Sequence, residues 1–171
     1  MKNVKFLLSA ALVFLASAAL AQDFSAPQYA KWGATPEERE QNILNSNFLK
    51  ESCDNRDYDA AAHYLKGLID KIPDAAESIY QRGAVVYKNK INRAKSVAEK
   101  NMFIDSLMLM YDMRAQYFGD NVKPGKTAFI LDQKAREFLR YKPNDRKGIR
   151  EAFRAAIAQG GDSTCLLYTS D

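Results

Sequence analysis

The stretch Asn55–Asp74, NRDYDAAAHYLKGLIDKIPD, decides the fold. Small and apolar residues recur within it at steps of three and four, which places them on one face of a helix. Proline disfavours helical geometry in the residue before it, so we expect this helix to end at Pro73. The residues on the predicted apolar face are Tyr58, Ala61, Ala62, Leu65, Leu68, Ile69 and Ile72. A helix with such a face must pack against a neighbour.

Further helix boundaries flank this stretch on both sides. Thr35 and Glu38 have the spacing of a capping box, which predicts a first helix from there to about Cys53. Asp74 and Glu77 repeat that spacing and predict a third helix from Ala75 to about Ile91. Apolar periodicity predicts three more helices, over about 93–118, 127–141 and 145–159. No segment predicts a strand, so we expect an all-α fold of about six helices.

The N-terminus has the order of a secretory signal peptide. Lys2 and Lys5 precede an apolar run over 6–16, and Ala19-Leu20-Ala21 follows it. The run is shorter than the roughly 20 residues that cross a bilayer, so we predict cleavage after Ala21 rather than a membrane anchor. The mature chain is then expected to begin with a linker over 22–34, followed by one helical domain over 35–160. We expect no transmembrane segment after cleavage.

Composition excludes some classes of partner. The chain has 25 basic and 21 acidic residues, a net charge of +4. Loss of Lys2 and Lys5 with the signal peptide leaves 23 basic residues and a charge of +2, which gives no support for nucleic-acid binding. The two cysteines, Cys53 and Cys165, are too few for a disulfide scaffold, and the sequence leaves open whether they pair.

The spacing of small and bulky residues resembles that of the tetratricopeptide repeat (TPR) family, in which helix pairs recur about every 34 residues. Ala61 takes the place of the small contact residue, and Pro73 ends the helix twelve residues later. Gly83 stands where the family places a glycine for close helix contact, although Arg82 replaces the family's leucine. Similar spacings recur at Leu131, Ala135, Phe138 and Pro143, and Pro143 lies 70 residues after Pro73. The resemblance covers 42–160, and the alternative is a generic six-helix bundle.

The resemblance implies a short right-handed superhelical solenoid of helical hairpins that binds a protein or peptide in a concave groove. It also implies an exported bacterial protein, periplasmic or associated with the envelope, without enzymatic activity or cofactor. In this family the first helix of each pair lines the groove. The groove candidates that the resemblance assigns are Ser46, Lys50, Cys53, Glu77, Tyr80, Ala84, Tyr87 and Lys88.

The last eleven residues, GDSTCLLYTSD over 161–171, lack helical periodicity. From about Ser163 they resemble translated library-adapter sequence, which predicts a non-native tail on a truncated protein. Two repeat registers are open: Gly160 opens a further turn, or the helix over 145–159 closes a third pair. An alternative function follows, namely a structural envelope module that supports a domain missing from this chain.

Other residues with chemical potential have simpler interpretations. His63 has only Asp59 at helical spacing, too few ligands for a metal site. No base pattern surrounds Cys53, which we expect to be a packed or groove-facing thiol. The methionines at 102, 108, 110 and 113 are interleaved with other apolar residues and are expected in the core. A basic stripe of Arg136, Arg140, Arg146, Arg150 and Arg154 has acidic neighbours, which favours a solvated face.

Overall fold

The computed structural model describes residues 22–160, and this part of the chain is all-helical, with no strand. A 3-10 helix, Pro27–Trp32, is followed by six α-helices: α1 (Pro36–Asp54), α2 (Tyr58–Lys71), α3 (Glu77–Arg93), α4 (Val97–Phe118), α5 (Lys126–Tyr141) and α6 (Arg146–Gly160). The expected all-α class with six main helices is confirmed. The predicted signal peptide and the predicted tail lie outside the described residues.

Consecutive helices run antiparallel. Asp59 at the start of α2 pairs with Lys90 near the end of α3, and Asp105 early in α4 pairs with Lys142 just after α5. The closest helix packing occurs within the pairs α1/α2, α3/α4 and α5/α6, and α1 also contacts α3. This pairing makes α6 the closing helix of a third hairpin, which agrees with the second of the two registers that the sequence left open.

The helix predicted from the opening stretch is α2, and it ends as expected. Ala61, Leu65 and Leu68 are fully buried, and Ile72 follows the last helical turn directly before Pro73. These residues belong to a core cluster that joins α1, α2, α3 and α4. A second cluster joins α3, α4 and α5, so α3 and α4 contribute to both.

The predicted start of the first helix is confirmed, whereas the predicted start of the third helix is wrong. The Thr35 hydroxyl accepts from the Glu38 amide at 3.2 Å, and the Glu38 carboxylate accepts from the Thr35 amide, as a capping box requires. By contrast, α3 begins at Glu77 with Ala76 at the cap position and no side-chain cap. The Glu77 carboxylate instead binds Arg114 and Lys126, so it is not available to complete a local box with Asp74.

The boundary between α3 and α4 also differs from the prediction. Residues up to Arg93 belong to α3, and α4 begins only at Val97. Ser96 accepts a hydrogen bond from the Glu99 amide at 3.1 Å, and the Glu99 carboxylate accepts from the Lys95 amide at 2.7 Å. Ser96 therefore caps the start of α4, while the Glu99 carboxylate accepts from the residue before the cap, and apolar periodicity alone did not locate this start.

The segment 22–34, predicted to be a linker, is folded onto α1. It contains the 3-10 helix, and Arg39 of α1 donates hydrogen bonds to the carbonyls of Phe24 and Gly33, at 3.1 and 2.9 Å. Asn42 donates a further hydrogen bond to the Trp32 carbonyl at 2.8 Å. Side chains of α1 therefore satisfy several backbone carbonyls of this segment, which holds it against the helix.

Candidate functional site

Three helices, α1, α3 and α5, run parallel and form one face of the described chain, which we call the front face. Lys126 binds Glu77 and Lys88 binds Glu137, both at 2.6 Å. Each pair joins residues 49 apart in sequence, so α3 and α5 keep the same register over about 16 Å. Because α1 is antiparallel to α2, and α2 to α3, α1 has the same direction.

A cleft of about 150 Å³ lies between α3 and α4, and we call it the α3–α4 cleft. Tyr80, Ala84 and Lys88 of α3 and Met110, Tyr111 and Arg114 of α4 line it, and Gln81 and Val85 of α3 complete the lining. The cleft is bordered on the α5 side by the Lys88–Glu137 ion pair and by a 2.9 Å hydrogen bond from Arg114 to Gln133. It combines an apolar floor with charged groups at the edge.

The charged groups around this cleft are engaged with one another. Burial by itself would raise the pKa of Glu77, but hydrogen bonds from Lys126 and Arg114 outweigh burial and hold the pKa below its usual value. Burial would lower the pKa of Lys88, but the hydrogen bond to Glu137 raises it overall. Both shifts favour the charged form of the side chain, since each group is stabilised as an ion by its partners.

A second cleft, of about 240 Å³, lies between α1 and α3, and we call it the α1–α3 cleft. It is lined by Trp32 and Ile43 on its apolar side, and by Ser46, Lys50, Ser78 and Arg82 on its polar side. Asn47 completes the lining. Among the described residues, none that lines this cleft is acidic, and Lys50 and Arg82 give it positive charge.

An exposed row on α3 lies between the two clefts. Helical positions advance by about 100°, so Gln81 and Val85 follow one another on the same row. Ser78 and Arg82 lie on one side of this row, and Ala84 and Lys88 lie on the other. Val85 is 45% exposed although it is apolar. The front face thus presents an apolar contact point with a side-chain-sized cleft on each side.

The structure distributes the eight predicted groove residues over different environments. Ser46 and Lys50 line the α1–α3 cleft, and Tyr80, Ala84 and Lys88 line the α3–α4 cleft. Tyr80 is only 1% exposed, and its hydroxyl donates to the Pro73 carbonyl at 2.6 Å.

The other three predicted groove residues line neither cleft. Glu77 binds Arg114 and Lys126. Tyr87 packs against both core clusters, on the side of α3 opposite Val85. Cys53 packs against the first cluster, and burial raises the pKa of its thiol despite the nearby charge of Arg82.

The remaining candidates of the sequence do not form a second site. His63 is exposed and contacts the Tyr64 ring, and no group of three potential metal ligands occurs within residues 22–160. Met108 and Met110 are buried as expected, whereas Met102 is 56% exposed. The basic stripe lies on exposed surface, where Arg136 pairs with Asp132 and Arg140 with Glu137.

Several front-face residues were not predicted. Trp32 was assigned to the predicted linker over 22–34, and Ile43 was not among the predicted groove residues. Arg82 was noted only because it replaces the leucine of the TPR pattern. That replacement was the one feature of the sequence that could have identified it as a cleft residue. Gln81 and Val85 have no feature in the sequence that separates them from any other exposed helical residues.

Comparisons of the chain with protein-family models, with curated proteins and with solved structures found no match. Between Gln22 and Gly160, no helix combines the length and the apolar character that are needed to cross a bilayer.

Proposed function

We propose that this protein is a non-enzymatic, exported adaptor of the TPR type that binds a protein or peptide partner along its front face. The parallel arrangement of α1, α3 and α5 supports the proposal, because parallel first helices are what a stack of helical hairpins produces. The close approach of Leu65 and Met110 to Gly83 supports it as well, since the family uses a glycine there for helix contact.

The observation that carries the binding function is the pair of clefts on either side of Gln81 and Val85. Their volumes, about 240 and 150 Å³, are smaller than the roughly 300–1,000 Å³ of small-molecule sites. Clefts of this size accommodate single side chains. Two such clefts beside an exposed apolar residue suit an extended or helical segment of a larger partner, which would anchor side chains in both.

Site-specific photo-crosslinking tests this function. A photoreactive residue replaces Val85 in one variant and Met102 in another, in cells of a bacterial host, and adducts are resolved by mass. The two positions are matched, since both are apolar and about half exposed, but Met102 lines neither cleft. We expect discrete adducts from position 85 and none from position 102.

A further variant checks that these adducts arise from the front face. Gln81→Arg places a bulky side chain on the same exposed row and should abolish adducts from position 85 without changing the midpoint of thermal unfolding. Equal adduct yields from positions 85 and 102 would contradict the proposal.

Export has its own test. We expect the mature protein to begin at Gln22 when the full chain is expressed in a bacterium, because the N-terminal sequence places cleavage after Ala21. Intact-mass measurement of the envelope fraction determines the N-terminus. Recovery of the chain from the cytoplasm with Met1–Ala21 still attached would contradict export.

A further inference from the structure

Arg82 is a cation without a counter-charge in the described chain. It lies in the middle of α3, partly buried, and forms no ion pair with any residue between Gln22 and Gly160. Other partly buried basic residues do have partners: Lys88 binds Glu137, and both Arg114 and Lys126 bind Glu77. Arg82 therefore stands out as a partly desolvated positive charge that an anion would stabilise.

The surroundings of Arg82 add hydrogen-bond donors of the same kind. The hydroxyls of Ser46 and Ser78 line the cleft with the side chain of Asn47. Lys50 lies at its edge and binds Asp54 at 2.7 Å, but both side chains are more than half exposed. Exposed pairs of this type contribute little stability, so Lys50 can turn to a bound anion at small cost.

Two apolar residues, Trp32 and Ile43, also line the α1–α3 cleft. Ile43 lies on the same face of α1 as Ser46 and Lys50, and Trp32 also packs against the larger core cluster. A guanidinium binds a carboxylate in a planar, bidentate arrangement, and Trp32 and Ile43 provide an apolar surface for an adjoining group. The cleft thus matches a carboxylate beside an apolar side chain rather than a fully hydrated ion.

We propose that the α1–α3 cleft binds the carboxylate of an acidic residue in a partner peptide, with Arg82 and Lys50 as its cationic contacts and Trp32 beside the neighbouring apolar residue. This inference rests on the proposed function and specifies the chemistry of the partner. It assigns a role to the arginine that replaces the family's leucine.

Trp32 is the single tryptophan of the chain, so its fluorescence reports on this cleft directly. The full chain is titrated with a blocked hexapeptide of alternating glutamate and leucine, with its glutamine and leucine counterpart, and with inorganic phosphate. We expect a saturable change in Trp32 fluorescence with the glutamate peptide. Binding of the glutamine peptide and of phosphate should be weaker by about tenfold or more.

Variants assign the binding to Arg82. Arg82→Gln should weaken binding of the glutamate peptide by about tenfold or more, and Arg82→Lys should retain most of it. Arg150→Gln removes the same charge from exposed α6 surface and should leave binding unchanged. Circular dichroism of each variant establishes that it is folded.

Four results would overturn the inference: no saturable change with the glutamate peptide, equal binding of the glutamate and glutamine peptides, phosphate binding as tight as the glutamate peptide, or equal binding by wild type and Arg82→Gln. If crosslinks from position 85 persist while one of these is observed, the front face still binds a partner and only its acidic chemistry is wrong. If those crosslinks are absent, the proposed function itself fails.

Discussion

Gly83 of α3 faces Met110 of α4 so closely that a Cβ atom on Gly83 would lie 2.7 Å from the Met110 sulfur. The same atom would lie 3.1 Å from a methyl carbon of Leu65, which is fully buried. The contact therefore joins α2, α3 and α4 at one point. A side chain at position 83 would have to displace parts of two neighbouring helices.

This relationship predicts opposite effects for two glycine replacements. Gly83→Ala should lower the free energy of unfolding by about 1 kcal/mol, because overpacking outweighs the gain in helix propensity. Gly67→Ala in α2 is the matched control, since no atom lies within 4 Å of its Cβ position. It should raise the free energy of unfolding by about 0.5–1 kcal/mol. Urea titrations measure both, and a stabilising Gly83→Ala would contradict the close contact.

Glu77 should make the stability of the protein depend on pH below about 4.5. Its pKa in the folded chain lies below its ordinary value of 4.5, so its contribution is complete above that pH and is lost as the pH falls through the folded pKa. Glu77→Gln should cost about 1–2 kcal/mol at pH 7, because Arg114 and Lys126 lose their charged partner.

The difference between wild type and Glu77→Gln should shrink as the pH is lowered below 4.5, as measured by urea unfolding at a series of pH values. Asp70→Asn is the control, because its ion pair with Lys66 lies on exposed surface. It should change the free energy of unfolding at pH 7 much less than Glu77→Gln does. A pH-independent difference for Glu77→Gln would show that the carboxylate charge is not what stabilises the fold.

The helix caps predict a further contrast. Ser96→Ala should destabilise the protein by about 1 kcal/mol, because the Ser96 hydroxyl accepts from the Glu99 amide at the start of α4. Asp74→Ala should change stability by less than about 0.5 kcal/mol, since α3 begins at Glu77 without a side-chain cap. Thermal and urea unfolding compare the two. If Asp74→Ala destabilised the protein as much as Ser96→Ala, Asp74 would cap α3 after all.

Asp74 and Glu77 illustrate what local sequence can and cannot determine. The end of α2 at Pro73 follows from the covalent geometry of proline, so it was predictable without knowledge of the neighbouring helices. The start of α3 was not, because the Glu77 side chain is bound by Arg114 and Lys126, which lie 37 and 49 residues away. Periodicity predicts helices, whereas long-range ion pairs adjust where those helices begin.

The candidate site was less predictable than the fold for the same reason. Lys50 and Arg82 share a cleft only because α1 lies beside α3, and Trp32 joins them only because Arg39 and Asn42 bind the segment before α1. None of these contacts has a local pattern. The family resemblance placed Ser46 and Lys50 on a binding face, but it offered no role for Arg82.

A substitution at Tyr80 should separate the effect of this residue on folding stability from its effect on partner binding. Tyr80→Phe should cost about 1–2 kcal/mol, because it removes the hydrogen bond to the Pro73 carbonyl while the ring stays packed between α3 and α4. Burial raises the pKa of Tyr80, so the folded chain keeps this phenol neutral after unfolded chains begin to ionise it, above about pH 10. Its contribution to stability is therefore complete below that pH and is lost as the pH rises. Urea unfolding between pH 7 and 11 should show a steeper alkaline loss for wild type than for Tyr80→Phe.

Tyr80→Phe is also a better probe of partner binding than a variant that lacks the whole Tyr80 side chain. Replacement of Tyr80, Tyr87 and Lys88 together by alanine would remove the buried ring of Tyr80, at a cost of about 3–5 kcal/mol, and the partly buried ring of Tyr87 that packs against the core. Loss of partner binding in that variant would then report unfolding rather than a lost contact. Tyr80→Phe should instead keep the crosslinks from position 85 while its free energy of unfolding falls, because its ring still forms the wall of the α3–α4 cleft. Loss of those crosslinks in folded Tyr80→Phe would mean that the partner contacts the Tyr80 hydroxyl directly, in place of Pro73.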